Sequence, residues 1–142
     1  MVRPFNHSFI TMTTLPLTAL ITLLVVALMF WTAIRVGKAR AKYDIKAPAT
    51  TGHEMFDRAY RIQMNTLESA LLFLPSMWLY ASLIGDIGAG VAGLIWLVGR
   101  WLYATSYQAE PKKRGPGFGI ALLATFGMWA GSLWAVLKLL LA

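Results

Sequence analysis

Four long apolar stretches restrict this chain more than any other feature of its sequence. They cover residues 15–34, 66–84, 87–109 and 117–137. The first and last contain no charged residue, and the other two contain one each, Glu68 and Arg100. A helix of about 20 apolar residues crosses a bilayer, and lipid offers no hydrogen bonds to an open backbone. Because no stretch alternates as a barrel strand does, the sequence predicts membrane-spanning helices.

The composition supports the same class of protein. Charged residues make up 13% of the chain and hydrophobic residues 58%, whereas a soluble domain carries about 25% charged residues. The absence of cysteine excludes a disulfide framework, a thiolate metal site and a cysteine nucleophile. We predict an all-α membrane protein, a single domain over residues 1–142. Its four transmembrane helices are expected at about 15–34, 56–84, 87–109 and 116–138.

Local signals add detail to these helices. Ala39-Arg40-Ala41 imitates a signal-peptide cleavage site, but the apolar run before it is too long and Arg35 and Lys38 intervene. We therefore expect the first helix to be retained as a span. Thr51 and Glu54 have the spacing of a capping box, which predicts that the second helix begins outside the bilayer. The six tryptophans are expected to face lipid or the membrane interface.

Basic residues gather at one end of the predicted bundle. The connections before the second and fourth helices hold Lys38, Arg40, Lys42, Lys46, Lys112, Lys113 and Arg114. The opposite end holds only Arg3, Lys138 and Asp86. By the positive-inside rule, both basic connections are cytosolic and both termini lie outside. Topology thus accounts for most of the net charge of +7, and we expect no nucleic-acid partner.

Several polar residues lie in or beside the second and third predicted membrane helices, where few polar residues are expected. In the second helix they are Arg58, Arg61, Asn65 and Glu68, and in the third they are Arg100, Tyr103 and Tyr107. Each set has spacings of three and four, which place its members on one helix face. If the two helices turn at Gly85-Asp86, Glu68 and Tyr103 have about equal depth. The pattern predicts a polar layer near the cytosolic end.

Two interpretations of this layer stay open. A charged side chain inside the bilayer costs roughly 2.5–3.5 kcal/mol, and Glu68 and Arg100 could offset each other as a structural ion pair, with Arg58 in a structural role. Alternatively, the layer binds a ligand. Guanidinium groups suit carboxylates, and Glu68 suits an ammonium group. Glutathione, with two carboxylates, one ammonium and a thiol, fits this set, and a phospholipid headgroup fits it less specifically.

The polar segment also resembles a known family. Residues 56–68, read as Phe-Asp-Arg-Ala-Tyr-Arg-Ile-Gln-Met-Asn-Thr-Leu-Glu, and then Leu72-Phe73-Leu74 resemble the signature of the MAPEG superfamily (membrane-associated proteins in eicosanoid and glutathione metabolism). The similarity covers most of the chain from Arg35 onward. The resemblance implies a four-helix subunit, a homotrimer and glutathione bound between subunits. It favours a bacterial-type member in the bacterial inner membrane over the endoplasmic reticulum, with the site on the cytosolic side.

The resemblance also implies roles for single residues. Those expected to hold glutathione from one subunit are Arg61, Asn65, Glu68, Tyr103, Tyr107 and Arg114. Arg40 and Gln63 are expected to reach it from the neighbouring subunit, and Arg114 is expected to stabilise the glutathione thiolate as the catalytic residue. Two positions depart from the family's eicosanoid-conjugating members, because Ala41 replaces an arginine and Ser69 replaces a tyrosine. These departures argue against eicosanoid synthesis.

The predicted function is that of an integral-membrane, glutathione-dependent transferase or peroxidase. Its second substrate is expected to be a lipophilic electrophile or a lipid hydroperoxide, with glutathione as co-substrate and no metal. The isolated His7 and His53 are assigned to neither metal binding nor catalysis. One alternative is a non-catalytic scaffold of the same fold that binds a lipid or a partner protein. Another is a small transporter or channel subunit, which the absence of an inverted repeat argues against.

Overall fold

A computed structural model of the protein describes residues 14–142, which form four long helices; Arg3 and His7 lie outside this range. The helices are α1 (Pro16–Lys42), α2 (Glu54–Leu83), α3 (Asp86–Ala109) and α4 (Gly115–Leu141), and a one-turn 3₁₀ helix (Pro111–Arg114) precedes α4. The described part of the chain contains no strand. The prediction of an all-α protein is therefore confirmed.

Three of the helical segments are long and apolar enough to cross a membrane. They are Pro16–Lys42, Asp86–Ala109 and Pro111–Leu141. Helix α2 is also long, at 30 residues, but its first half carries the polar residues discussed above. The crossing of the membrane by α2 and the homotrimer stay predictions.

The α2–α3 connection contacts the start of α1, so that three helices are held together at the end of the bundle opposite the basic residues. The turn requires Gly85, whose φ of 155° is rarely adopted by residues with a side chain. Asp86 then begins α3, and its carboxylate accepts hydrogen bonds from the backbone nitrogens of Leu17 and Thr18 at 2.9 and 2.8 Å. The Thr18 hydroxyl donates to the same carboxylate at 2.7 Å. Asp86 thus caps the first turn of α1, where backbone donors have no partner within the helix.

At the basic end, Arg58 ties the start of α2 to the end of α3. Its Nη1 donates to the carbonyl oxygens of Gln108 and Ala109, at 3.1 Å each. Its Nη2 forms an ion pair with Glu54. Gln108 returns a hydrogen bond from Nε2 to the Met55 carbonyl at 3.2 Å. Arg58 therefore satisfies carbonyl groups that the end of a helix leaves free.

The start of α2 differs from its prediction. The helix begins at Glu54, and the side chain that caps it belongs to His53, whose Nδ1 accepts from the Met55 backbone nitrogen at 3.2 Å. The His53 ring stacks on Tyr43 with ring centroids 3.7 Å apart. The predicted capping box is wrong because this stacking holds His53 at the cap position, so Thr51 lies two residues before it.

The core of the bundle corrects a second prediction. Trp96 is fully buried and stacks on Phe73, with ring centroids 4.9 Å apart. The other five tryptophans are half-buried or exposed. Position 96 lies on the same face of α3 as Gly93 and Gly99, where the neighbouring helices approach closely. The indole therefore fills the interior of the bundle and does not face lipid.

Candidate functional site

A cleft at the basic end of the bundle brings together most of the predicted binding residues. It has a volume of about 550 Å³ and is formed by α2, α3 and the start of α4. Its lining residues are Arg61, Asn65, Tyr103, Tyr107, Arg114 and Phe118. We refer to it as the glutathione cleft, after the ligand that the sequence analysis predicts.

Helical spacing explains how each element supplies two side chains to this cleft. Arg61 and Asn65 are four residues apart on α2, and Tyr103 and Tyr107 are four apart on α3. Residues with this spacing lie one above the other on a helix. The two tyrosine rings pack with centroids 5.6 Å apart. Each helix thus presents two side chains to the cleft, one nearer the basic end of the bundle and one about one helical turn further from it.

Arg114 lies at the mouth of the cleft, immediately before α4. Its guanidinium carbon lies 5.2 Å from the centre of the Tyr107 ring, at cation–π distance. The side chain is exposed, so its donors remain available to a ligand. It is the last residue of the 3₁₀ helix that continues directly into α4, and it therefore lies near the positive, N-terminal end of the helix dipole, which favours an anion. The mouth of the cleft is therefore strongly cationic.

Arg100 lies beneath this cleft and is 1% exposed. It donates to the Asn65 Oδ1 at 3.1 Å and to the Thr66 hydroxyl at 2.8 Å. Its guanidinium carbon lies 4.2 Å from the centre of the Tyr103 ring. Because arginine only donates hydrogen bonds, this contact fixes the orientation of the Asn65 amide and leaves its NH₂ group for a ligand.

The ion pair considered for Glu68 and Arg100 is not formed. The two ion pairs within residues 14–142 are Arg58–Glu54 and Lys113–Glu110. Glu68 is exposed and borders a smaller groove of about 170 Å³. Arg100 lines the same groove, but its guanidinium donates to the neutral side chains of Asn65 and Thr66 and forms no ion pair with Glu68.

The smaller groove joins the polar cleft to the apolar surface of the bundle. Asn65 and Phe118 border both spaces. The groove is also lined by Leu72 and Leu122, which are 66% and 52% exposed. We refer to it as the apolar groove. A molecule dissolved in the hydrocarbon of a membrane would reach the cleft along this side.

Arg40 and Gln63 do not border the glutathione cleft of their own chain. Arg40 lies near the end of α1, with its guanidinium carbon 4.8 Å from the centre of the Phe56 ring. Gln63 is half-buried, two positions from Arg61 on α2. Residues two apart on a helix face different directions. Their predicted role belongs to the site of a neighbouring subunit.

Two residues of this region, Phe118 and Thr66, are not among those predicted from the sequence. Phe118 follows Arg114 by four residues, so the spacing along α4 was a usable signal once Arg114 had been selected. Thr66 carries no such signal. A threonine in an apolar helix is unremarkable in sequence, and its role depends on where the Arg100 side chain ends.

The comparison with protein families decides the classification. Residues 18–134 match the sequence model of the MAPEG family. This range includes α2, α3 and every residue of the glutathione cleft. The chain belongs to the MAPEG family.

Sequence identity to individual proteins supports the assignment of this chain to the MAPEG family. An uncharacterized protein of Synechocystis, sll1147, is 44% identical over 119 residues, which cover 84% of this chain and 87% of that protein. Human microsomal glutathione S-transferase 2 is 38% identical over 90 residues, 63% of this chain and 61% of that protein. Guinea pig (Cavia porcellus) leukotriene C4 synthase is 32% identical over 123 residues, 87% of this chain and 77% of that protein.

Proposed function

We propose that this MAPEG protein is an integral-membrane enzyme that uses glutathione against lipophilic electrophiles or lipid hydroperoxides. The observation that carries the proposal is the glutathione cleft itself, in which Arg61, Asn65, Tyr107 and Arg114 surround one space of about 550 Å³. Relatives named glutathione S-transferase and leukotriene C4 synthase support the same reaction class. Glutathione is the co-substrate, and no step requires a metal.

The groups around the cleft suit the functional groups of glutathione. Arg61 and the Asn65 NH₂ group donate hydrogen bonds, which carboxylates accept. Glu68 borders the adjoining apolar groove and is exposed, so its carboxylate is available to an ammonium group. Tyr103 and Tyr107 contribute aromatic walls. Arg61 and Glu68 have no ion-pair partner within residues 14–142, so their charged groups are available to bind a ligand.

Arg114 supplies the chemistry at the thiol. A free thiol has a pKa of about 8.5, so only a few per cent is ionised near neutral pH. Lowering that pKa by about two units requires about 2.7 kcal/mol. A charge-assisted hydrogen bond from Arg114, together with the N-terminus of α4, favours the thiolate by an amount of this order. The thiolate then attacks the electrophile, forming a carbon–sulfur bond and expelling a leaving group such as chloride. With a hydroperoxide it attacks the terminal oxygen, breaks the O–O bond and releases the alcohol. The resulting glutathione sulfenic acid reacts with a second glutathione to give glutathione disulfide and water.

The second substrate approaches along the apolar groove. Its exposed leucines, Leu72 and Leu122, face the surroundings of the bundle, and Asn65 and Phe118 connect it with the cleft. A lipophilic molecule whose apolar part contacts Leu72 and Leu122 would place its reactive atom near Asn65, on the side of the groove that adjoins the cleft. Ser69 lines the same groove, where the family's eicosanoid-conjugating members carry a tyrosine. We infer that the site accepts substrates other than eicosanoids.

The assembly forms part of the same proposal. We infer that α2 is the fourth membrane crossing and that three chains form a trimer, with Arg40 and Gln63 of one subunit completing the cleft of the next. The positive-inside rule places the basic end on the cytosolic side. The membrane is the bacterial inner membrane.

The experiment that tests this function uses the full-length protein purified in detergent. We expect it to bind glutathione and to conjugate it to 1-chloro-2,4-dinitrobenzene or to reduce a fatty-acid hydroperoxide, at rates above those of boiled protein. Glutathione binding without turnover of any lipophilic substrate would contradict the enzyme and favour the non-catalytic scaffold. Absence of glutathione binding combined with ion or solute flux in liposomes would favour a transporter.

A further inference from the structure

A second cationic surface lies at the basic end, apart from the glutathione cleft. It is a groove of about 170 Å³ between the end of α1, the start of α2 and the end of α3. Its lining includes Arg35, Lys38 and Lys42 of α1, Met55 of α2 and Gln108 of α3. We refer to it as the basic groove. None of its lining residues belongs to the glutathione cleft, which α2, α3 and α4 form.

The basic groove carries positive charge that the described chain does not neutralise. No acidic residue lines it, and neither ion pair within residues 14–142 involves its three cations. Arg35, Lys38 and Lys42 lie within about 60° of one another around α1 and extend over about 10 Å of its length. They therefore form one cationic strip along the groove.

The strip lies at the depth of a membrane interface. The Arg35 guanidinium carbon is 4.7 Å from the centre of the Trp31 ring, and the Lys42 Nζ is 5.2 Å from the centre of the Tyr43 ring. Tryptophan and tyrosine concentrate at the headgroup level of a bilayer. Arg35 is half-buried, whereas Lys38 and Lys42 are exposed, as cations that face headgroups would be.

Apolar side chains continue the basic groove toward the middle of the bilayer. Leu24 lies three turns before Arg35 on the same face of α1, and Leu94 and Trp101 lie on the face of α3 that carries Gln108. They are 41%, 55% and 55% exposed. The 11 residues from Leu24 to Arg35 extend about 16 Å, close to the roughly 15 Å of hydrocarbon in one leaflet.

The opposite face of α1 is the one predicted to meet a neighbouring subunit. Arg40 is five residues from Arg35, which places it about 140° around the helix. If Arg40 points to the neighbour's glutathione cleft, the basic groove faces away from that contact and toward lipid. The groove then remains accessible in the proposed trimer.

We propose that the basic groove binds one anionic phospholipid of the leaflet at the basic end. The phosphate lies among Arg35, Lys38 and Lys42, and the acyl chains lie along Leu24, Leu94 and Trp101. Basic pockets between membrane helices recognise anionic headgroups in this way. A soluble phosphate compound would use the cations alone, whereas a phospholipid also covers the exposed apolar side chains.

The test compares lipid retention by charge variants, using native mass spectrometry of full-length protein from micelles that contain phosphatidylglycerol or phosphatidylcholine. Lys38→Gln/Lys42→Gln removes two charges from exposed positions, and Arg35→Gln/Lys38→Gln/Lys42→Gln removes all three. Lys46→Gln/Lys112→Gln/Lys113→Gln is the matched control, because it removes three charges from the same end outside the groove. Thermal unfolding of each variant verifies that it is folded.

We expect wild-type protein to retain phosphatidylglycerol in preference to phosphatidylcholine. Since each cation near a membrane surface contributes about a fivefold effect, the double variant should bind phosphatidylglycerol at least tenfold more weakly, and the control should bind within about threefold of wild type. An equal loss of phosphatidylglycerol binding in the control variant would overturn the proposal, because the positive charge of the whole basic end would then explain lipid binding. So would retention unchanged in the double variant, or displacement of the lipid by equimolar soluble glycerol phosphate.

Discussion

The contact between Arg100 and Asn65 shows how a single buried cation orients a side chain of the proposed glutathione site. Arg100 is almost fully buried, and its guanidinium donates to the neutral oxygens of Asn65 and Thr66. A buried arginine requires such acceptors, because a donor without a partner inside a bundle is costly. The same hydrogen bond turns the Asn65 NH₂ group toward the glutathione cleft. We therefore expect folding and glutathione binding to depend on the same amide.

The substitution Asn65→Asp separates these two functions. A carboxylate beside Arg100 forms an ion pair, so we expect the unfolding temperature to stay the same or rise. The ligand, however, loses a hydrogen-bond donor and meets a negative charge, so the Kd for glutathione should rise about tenfold or more, as expected for a charge-assisted hydrogen bond of about 1.5–3 kcal/mol. Calorimetric titration with glutathione checks the prediction. Unchanged affinity would show that Asn65 does not contact the ligand.

Substitution of Arg114 should change the ionisation of the glutathione thiol more than the affinity for glutathione. In Arg114→Ala, we expect the ultraviolet absorbance of the glutathione thiolate to disappear and turnover near neutral pH to fall at least tenfold, since a thiol pKa that returns to about 8.5 leaves only a few per cent of the thiol ionised. The Kd for glutathione should change less than tenfold, because other residues hold the peptide. Lys112→Ala, two positions away on the 3₁₀ helix, is the control and should keep the thiolate signal. An equal signal in Arg114→Ala would refute the role.

At the scale of helices, close contact between α3 and α4 positions the cleft. A Cβ atom at Gly99 would lie 2.7 Å from the Ala121 backbone nitrogen, and one at Gly117 would collide with the backbone of Tyr103. The absence of side chains at both glycines thus brings the tyrosine pair of α3 to the start of α4. Arg114 precedes Gly117 by three residues and lies beside Tyr107 for this reason.

Gly117→Ala tests this packing, with Gly119→Ala as its control. The first substitution forces α4 away from α3, and overpacking of this kind costs typically about 1–3 kcal/mol. We expect a lower unfolding temperature and weaker glutathione binding. A Cβ at Gly119 meets open space, so that variant should be as stable as wild type or more stable by up to about 1 kcal/mol, through helix propensity. Equal destabilisation of both variants would contradict the packing argument.

The helices show which features the sequence could predict. Hydropathy predicted four helices, and four long helices are present in residues 14–142, whereas the equal depth of Asn65 and Tyr107 stays a prediction. Hydropathy does not distinguish a residue that faces lipid from one that faces the interior, because both surroundings are apolar, so Trp96 was assigned to the wrong side. The hydrogen-bond partners of Arg100 depend on the conformation of its long flexible side chain. Sequence spacing along a helix does not determine that conformation.

In the proposed trimer, each glutathione site combines residues from two subunits. A chain with Arg40→Ala and a chain with Arg61→Ala should each be inactive alone. In a cyclic trimer that contains both, one of the three interfaces joins an intact Arg61 to an intact Arg40. Random co-assembly of equal amounts should therefore restore about a quarter of the wild-type activity. Mixing the chains after purification, without subunit exchange, is the control and should restore none.

A structure of the protein with glutathione, determined experimentally in a lipid nanodisc, would decide whether residues of two subunits bind the ligand together. We expect one glutathione per subunit in the cleft, with its carboxylates near Arg61 and Asn65 and its sulfur within hydrogen-bond distance of Arg114. Arg40 and Gln63 of the adjacent subunit should complete the contact. Glutathione bound elsewhere, or polar side chains that satisfy one another inside a single subunit with the cleft closed, would contradict this expectation.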